Sequence, residues 1–178
     1  MAHTILHEVG ELEVTPRRAL HVARWSLLLV VAIAGSLLYG GSLGLVLPGW
    51  RLGGAALWLT LSAGLAWGVF IPSLWLATGL SLRRCLDSCL VTMAGGEVVL
   101  ASGALSNAVL WWHHLSANAA PINGLVVAIS NLAMVTMLTF QLRRHGISAA
   151  RTLTLWILVL NGGGALFFAA FYQWLCGI

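Results

Sequence analysis

The sequence predicts an all-α fold, a polytopic bundle of five transmembrane helices with the N-terminus cytoplasmic and the C-terminus outside. Three observations lead there. Only 8% of the 178 residues are charged and 60% are hydrophobic, whereas about a quarter of an ordinary soluble domain is charged. The apolar residues gather into five runs, each long enough for the roughly 20 residues that cross a hydrocarbon core. All nine basic residues are arginines, and eight fall on one side of the membrane if the N-terminus is inside, as the positive-inside rule requires. Arg17, Arg18 and Arg24 precede the first run, Arg83 and Arg84 follow the second, and Arg143, Arg144 and Arg151 separate the fourth from the fifth; Arg51 alone lies elsewhere.

Taken in order, residues 1–14, MAHTILHEVGELEV, mix apolar and acidic side chains and read as a cytoplasmic surface segment. Residues 15–178 then form a single five-helix transmembrane domain. No cleavable signal peptide is expected, because no small-residue cleavage site follows a short apolar core. Thr15-Pro16 places a capping residue before proline at the first helical position, opening a helix whose apolar span is Trp25–Leu47 and which Pro48–Trp50 ends. The second span, Gly53–Leu76, carries Pro72 near its inner end, where a kink is expected. Gly79, Leu80 and Ser81 make a tight reversal, glycine as C-cap and serine as the next N-cap. The third span is Leu86–Trp112 and the fourth Ile122–Leu142; Ser148 caps the fifth, Leu153–Trp174. Trp25, Trp50, Trp111, Trp112 and Trp174 fall at predicted interfaces, as an aromatic belt would.

Small residues recur at helical spacing: Ser36, Gly40 and Gly44 on the first span, Gly64 and Gly68 on the second. Such spacing lets backbones approach closely, and packing within the bundle is the preferred reading over a dimer face. The two halves show no inverted duplication, which counts against a transporter.

Glu97 stands near the midplane of the third span, in the run VTMAGGEVVLASGALSNAVL. At 100° per residue it shares a face with Ala94, Ala101, Ala104 and Ala108, a packing face that turns it into the bundle. An ionised carboxylate is costly in hydrocarbon, so the group is expected neutral or paired. Asn131 and Asn161 fall near the middle of the fourth and fifth spans, and Ser36 and Ser62 at similar depth on the first two. Together with Glu97 they suggest one intramembrane polar layer. That layer reads either as a hydrogen-bonded clamp fixing helix register, the preferred reading, or as a proton or small-solute site, with NGGG (Asn161 to Gly164) loosening the fifth helix.

Other constellations point to little chemistry. His113 and His114 could ligate a haem or metal, but a b-type haem needs two histidines facing each other across helices, and His3, His7, His21 and His145 are predicted at the opposite side. Neither a metal nor any other cofactor is expected. Cys85 and Cys89 share a helix face on the reducing side, where disulfides are rare, and read as packing residues; Cys176 is predicted outside. No catalytic motif is present, and no aromatic-basic pattern of a nucleic-acid binder, so the net charge of +4 reflects topology.

The segment IPSLWLATGLSLRRCLDSCLVTMAG, Ile71–Gly95, resembles the bacterial Yip1-like membrane proteins. The shared features are proline at the inner end of the second span, a short glycine-containing turn, and a leucine/serine/arginine run opening the third helix. The five-span N-inside arrangement and the amide in AISNLAM fit as well, over residues 20–175. The resemblance implies action through partner binding and carries over no catalytic residues. Glu97 departs from the family's pattern, where an apolar or small residue is expected. The expectation is thus a non-enzymatic bacterial inner-membrane protein that binds membrane lipid and other integral membrane subunits, as an accessory or scaffolding subunit. A small permease or proton-linked carrier using Glu97, Asn131 and Asn161 is the alternative, and a haem-carrying redox subunit ranks below it.

Overall fold

The computed structural model describes residues 16–46 and 52–176. Residues 1–14, Pro48–Trp50 and Arg51 lie outside them, as do the side chains of Arg17, Arg18, Trp174 and Cys176. Helix α1 is Pro16–Val46, α2 Leu52–Thr78, α3 Leu82–Trp112 and α4 Ala119–Arg143, the last preceded by a 3-10 turn at Ser116–Asn118. The chain ends in α5 (Ala149–Leu155), a π-helical segment (Trp156–Asn161) and α6 (Gly162–Cys176), which run on without a break. There is no strand among the described residues. Lipid offers no hydrogen bonds, so each segment must satisfy its backbone internally, and helices do. Among the described residues five helices are long and apolar enough to cross a membrane: Leu20–Val46, Gly54–Thr78, Leu82–Trp112, Ala119–Arg143 and Ala149–Phe167. The chain is a multi-pass membrane protein.

The chain reverses at both turns on the arginine-bearing side. Gly79 has φ +67° and Gly146 φ +80°, left-handed values that a side chain resists. Ser81 occupies the N-cap position of α3 in an extended conformation but its side chain makes no capping bond, whereas Ser148 caps α5 by accepting from the Arg151 amide. Pro72 lies within α2, which continues as one helix to Thr78.

Helix α1 packs against α2 and α3, α3 against α4, and α2 against the fifth span. Trp25 meets Asp87, Gly35 meets Glu97 and Ser42 meets Asn107, so α1 and α3 are parallel. Gly96 meets Met134 and Gly103 meets Val126, so α3 and α4 run antiparallel. Arg24, Arg84 and Arg144 come together at one end. Next to that end a core of Phe70, Leu74, Cys85, Cys89, Leu138 and Leu142 is fully buried. It includes a three-ring cluster in which Trp67, Phe70 and Trp156 meet edge to face at 5.5–5.8 Å, the favoured geometry for aromatic pairs. Cys85 and Cys89 are free thiols inside this core.

Close approach occurs where glycine permits it, though not at every predicted position. A Cβ on Gly40 would lie 2.8 Å from the Ala56 Cα, and one on Gly35 would lie 2.7 Å from the Glu97 carbonyl oxygen. These two positions let α1 approach both neighbours. Gly44 is half-buried. The expectation for Gly64 and Gly68 is corrected: both are exposed, and a Cβ on either meets nothing within 4 Å. They sit on an exposed face of α2.

Candidate functional site

Glu97 is buried, 6% exposed, on the face of α3 that meets α1. Gly35 leaves room for its Cβ, and the Ser36 hydroxyl lies beside its carboxyl. The register of the contacts puts Ser36, Glu97 and Asn131 at one depth, since Gly35 meets Glu97 and Ser130 donates to the Gly96 carbonyl at 2.9 Å. The single hydrogen-bonded layer does not form at that depth. Glu97 makes no hydrogen bond to Asn131 or Asn161, and its Oε2 and the Ser62 Oγ are buried without a partner among the described residues. The physical reason is rotation about the helix axis: Glu97 points toward α1, while Asn131 points from α4 toward the fifth span.

Asn131 and Asn161 do pair with each other. The Asn131 amide nitrogen donates to Asn161 Oδ1 at 2.8 Å, and Asn131 Oδ1 accepts from the buried Trp156 indole at 2.7 Å. The π-helical segment runs from Trp156 to Asn161, so the wide turn sets the spacing between the two groups that grip Asn131. Such π turns occur frequently at functional sites. The Asn161 side chain is exposed, and its NH2 group, a carrier of two donors, gives neither to any described residue.

A second polar cluster, toward the end of the bundle away from the arginines, was not among the residues singled out in the sequence. Asn107 Nδ2 donates to Ser42 Oγ at 2.9 Å and to Asn123 Oδ1 at 3.0 Å, and Asn123 Nδ2 donates back to Asn107 Oδ1 at 2.8 Å. The Tyr39 hydroxyl adds a bond to Asn123 Oδ1 at 2.8 Å, and Asn123 Nδ2 also donates to the Ala119 carbonyl. Asn107 is fully buried, and Tyr39, Ser42 and Asn123 nearly so. This satisfied network ties α1, α3 and α4 together, the clamp that the sequence reading assigned to Glu97. A signal was available: Asn107 and Asn123 flank the connection between two apolar helices, at positions an antiparallel pair brings level.

His113 and His114 are exposed at the end of α3, and His114 holds φ 56°. They do not converge with a third ligating side chain; among the described residues no group of three His, Cys, Asp or Glu could hold a metal.

No protein-family model, curated protein or solved structure matches the chain.

Proposed function

We propose that this multi-pass membrane protein works by binding another integral membrane protein, as a non-catalytic accessory or scaffolding subunit of the bacterial inner membrane. The exposed amide of Asn161 carries the reading. It lies near mid-depth on the fifth span, exposed and with two N–H donors that no described residue accepts, at a depth where lipid supplies no acceptor. Polar groups at such depth associate helices, each interhelical hydrogen bond giving about 0.6 kcal/mol and up to about 1.7. The seam around it is open in this chain: 17% of the apolar stretch of α4 and 17% of that of the fifth span are buried, against 44% for α1. A partner helix with a backbone or side-chain acceptor would complete the seam. The resemblance to Yip1-like proteins, which implies partner binding, points the same way.

The test is site-specific photocrosslinking in membranes. A crosslinker at Leu158, 68% exposed beside the seam, should trap a protein of one discrete mass; one at Leu105, 73% exposed on α3, should not. Asn161→Leu should abolish the adduct. Lipid adducts alone at both positions would overturn the proposal.

The unpartnered Glu97 Oε2 and Ser62 Oγ favour a second reading, a proton-linked carrier. A buried acid without a full hydrogen-bond complement is a device for binding a proton or polar solute in the membrane. It requires that Glu97→Gln abolish pH-driven uptake in proteoliposomes while the protein stays folded.

A further inference from the structure

At the arginine-bearing end, α1, α3 and the turn after α4 enclose a cleft of about 540 Å3, within the roughly 300–1,000 Å3 of small-molecule sites. Each element contributes one guanidinium: Arg24 from α1, Arg84 from α3 and Arg144 from the turn. Among the described residues one carboxylate, Asp87, faces them, and its Oδ1 already accepts from the Trp25 indole at 2.5 Å. None of the three arginines makes an ion pair with a described residue; Arg144 instead lies over the Phe140 ring at 4.4 Å. The stacking holds that guanidinium at the cleft wall while its donors stay available.

We infer that this cleft binds the phosphodiester headgroup of an anionic phospholipid. Among the described residues, three cations converging from separate elements, with a single committed carboxylate, leave a positive site suited to phosphate, which guanidinium donors meet in pairs. The lining also identifies the source of the phosphate. Val91, Met137 and Phe140 give the cleft an apolar wall that continues from the arginines toward the hydrocarbon, where an acyl chain fits and a free phosphate ion gains nothing. Basic pockets between transmembrane helices are the usual receptors for acidic headgroups. A lipid held there would bridge α1, α3 and α4 at the end opposite the Asn107–Asn123 network. The inference stands independently of the partner reading.

The full-length protein in neutral detergent, titrated with phosphatidylglycerol or phosphatidylcholine and read by native mass spectrometry, provides the test. Phosphatidylglycerol should be retained preferentially. Arg84→Gln with Arg144→Gln should weaken it roughly thirtyfold, and Arg144→Gln alone roughly fivefold. The pair Arg83→Gln with Arg143→Gln removes the same charge outside the cleft and should lose less than about fivefold. If the double cleft variant does not fold, the single Arg144→Gln on its exposed turn decides the matter. Equal retention of the two lipids, an equal loss in the Arg83/Arg143 pair, or displacement of the lipid by inorganic phosphate would each overturn the assignment.

Discussion

Asn107→Leu removes the centre of the most completely satisfied polar network in the bundle at nearly constant side-chain volume. Three hydrogen bonds are lost: those from Asn107 Nδ2 to Ser42 and to Asn123, and the return bond from Asn123 Nδ2. The former partners are not left bare, since Asn123 keeps Tyr39 and the Ala119 carbonyl, and Ser42 keeps the Tyr39 carbonyl. The cost is therefore the bonds themselves, at about 0.6 kcal/mol each in a membrane, or about 2 kcal/mol in total. That shifts the folding equilibrium by roughly thirtyfold. The two bonds joining Asn107 directly to Asn123 should appear as a coupling of about 1 kcal/mol in a double-mutant cycle with Asn123→Leu. Reversible unfolding in bicelles by steric trapping measures both quantities. A single variant within about 0.5 kcal/mol of the parent, or no coupling in the cycle, would refute the network as the clamp.

Three further outcomes follow from the same geometry. Gly40→Ala drives a methyl to 2.8 Å from the Ala56 Cα and should cost about 1–3 kcal/mol, whereas Gly64→Ala meets open space and should stabilise by about 0.5–1 kcal/mol; thermal unfolding of the two variants side by side reads the difference. Glu97→Leu, which deletes a buried oxygen without a partner, should leave the fold at least as stable as the parent, and a loss above about 1 kcal/mol would return the clamp role to Glu97. His114→Gly relieves the left-handed backbone at φ 56° and should raise stability by about 1 kcal/mol.

The elements were legible because their signals are local. Glycine at 79 and 146, serine at 81 and 148, and the arginines between runs mark ends that a helix cannot avoid marking. Depth was legible too, since counting inward from those ends places Glu97, Ser36 and Asn131 at one level. Rotation was not. In water the apolar stripe of a helix identifies its inner face, but lipid is as apolar as a packed core, so Gly64 and Gly68 carry the same spacing outward that Gly40 carries inward. The same blindness joined Glu97 to Asn131 and Asn161 in one layer, when the two amides face each other between α4 and the fifth span and the acid faces α1. Trp156 went unread for another reason: its indole reaches Asn131 through a π-helical segment whose wider turn departs from the 100° spacing used to assign faces.

The proposed partner at the Asn131–Asn161 seam is tested most directly by extracting the protein with its surrounding membrane, without detergent, and weighing the intact assembly by native mass spectrometry. The expected result is a complex heavier than this chain and its lipids by one discrete protein mass, lost in Asn161→Leu and kept in Glu97→Gln. A chain carrying lipid alone, or a complex that Asn161→Leu leaves intact, would contradict it.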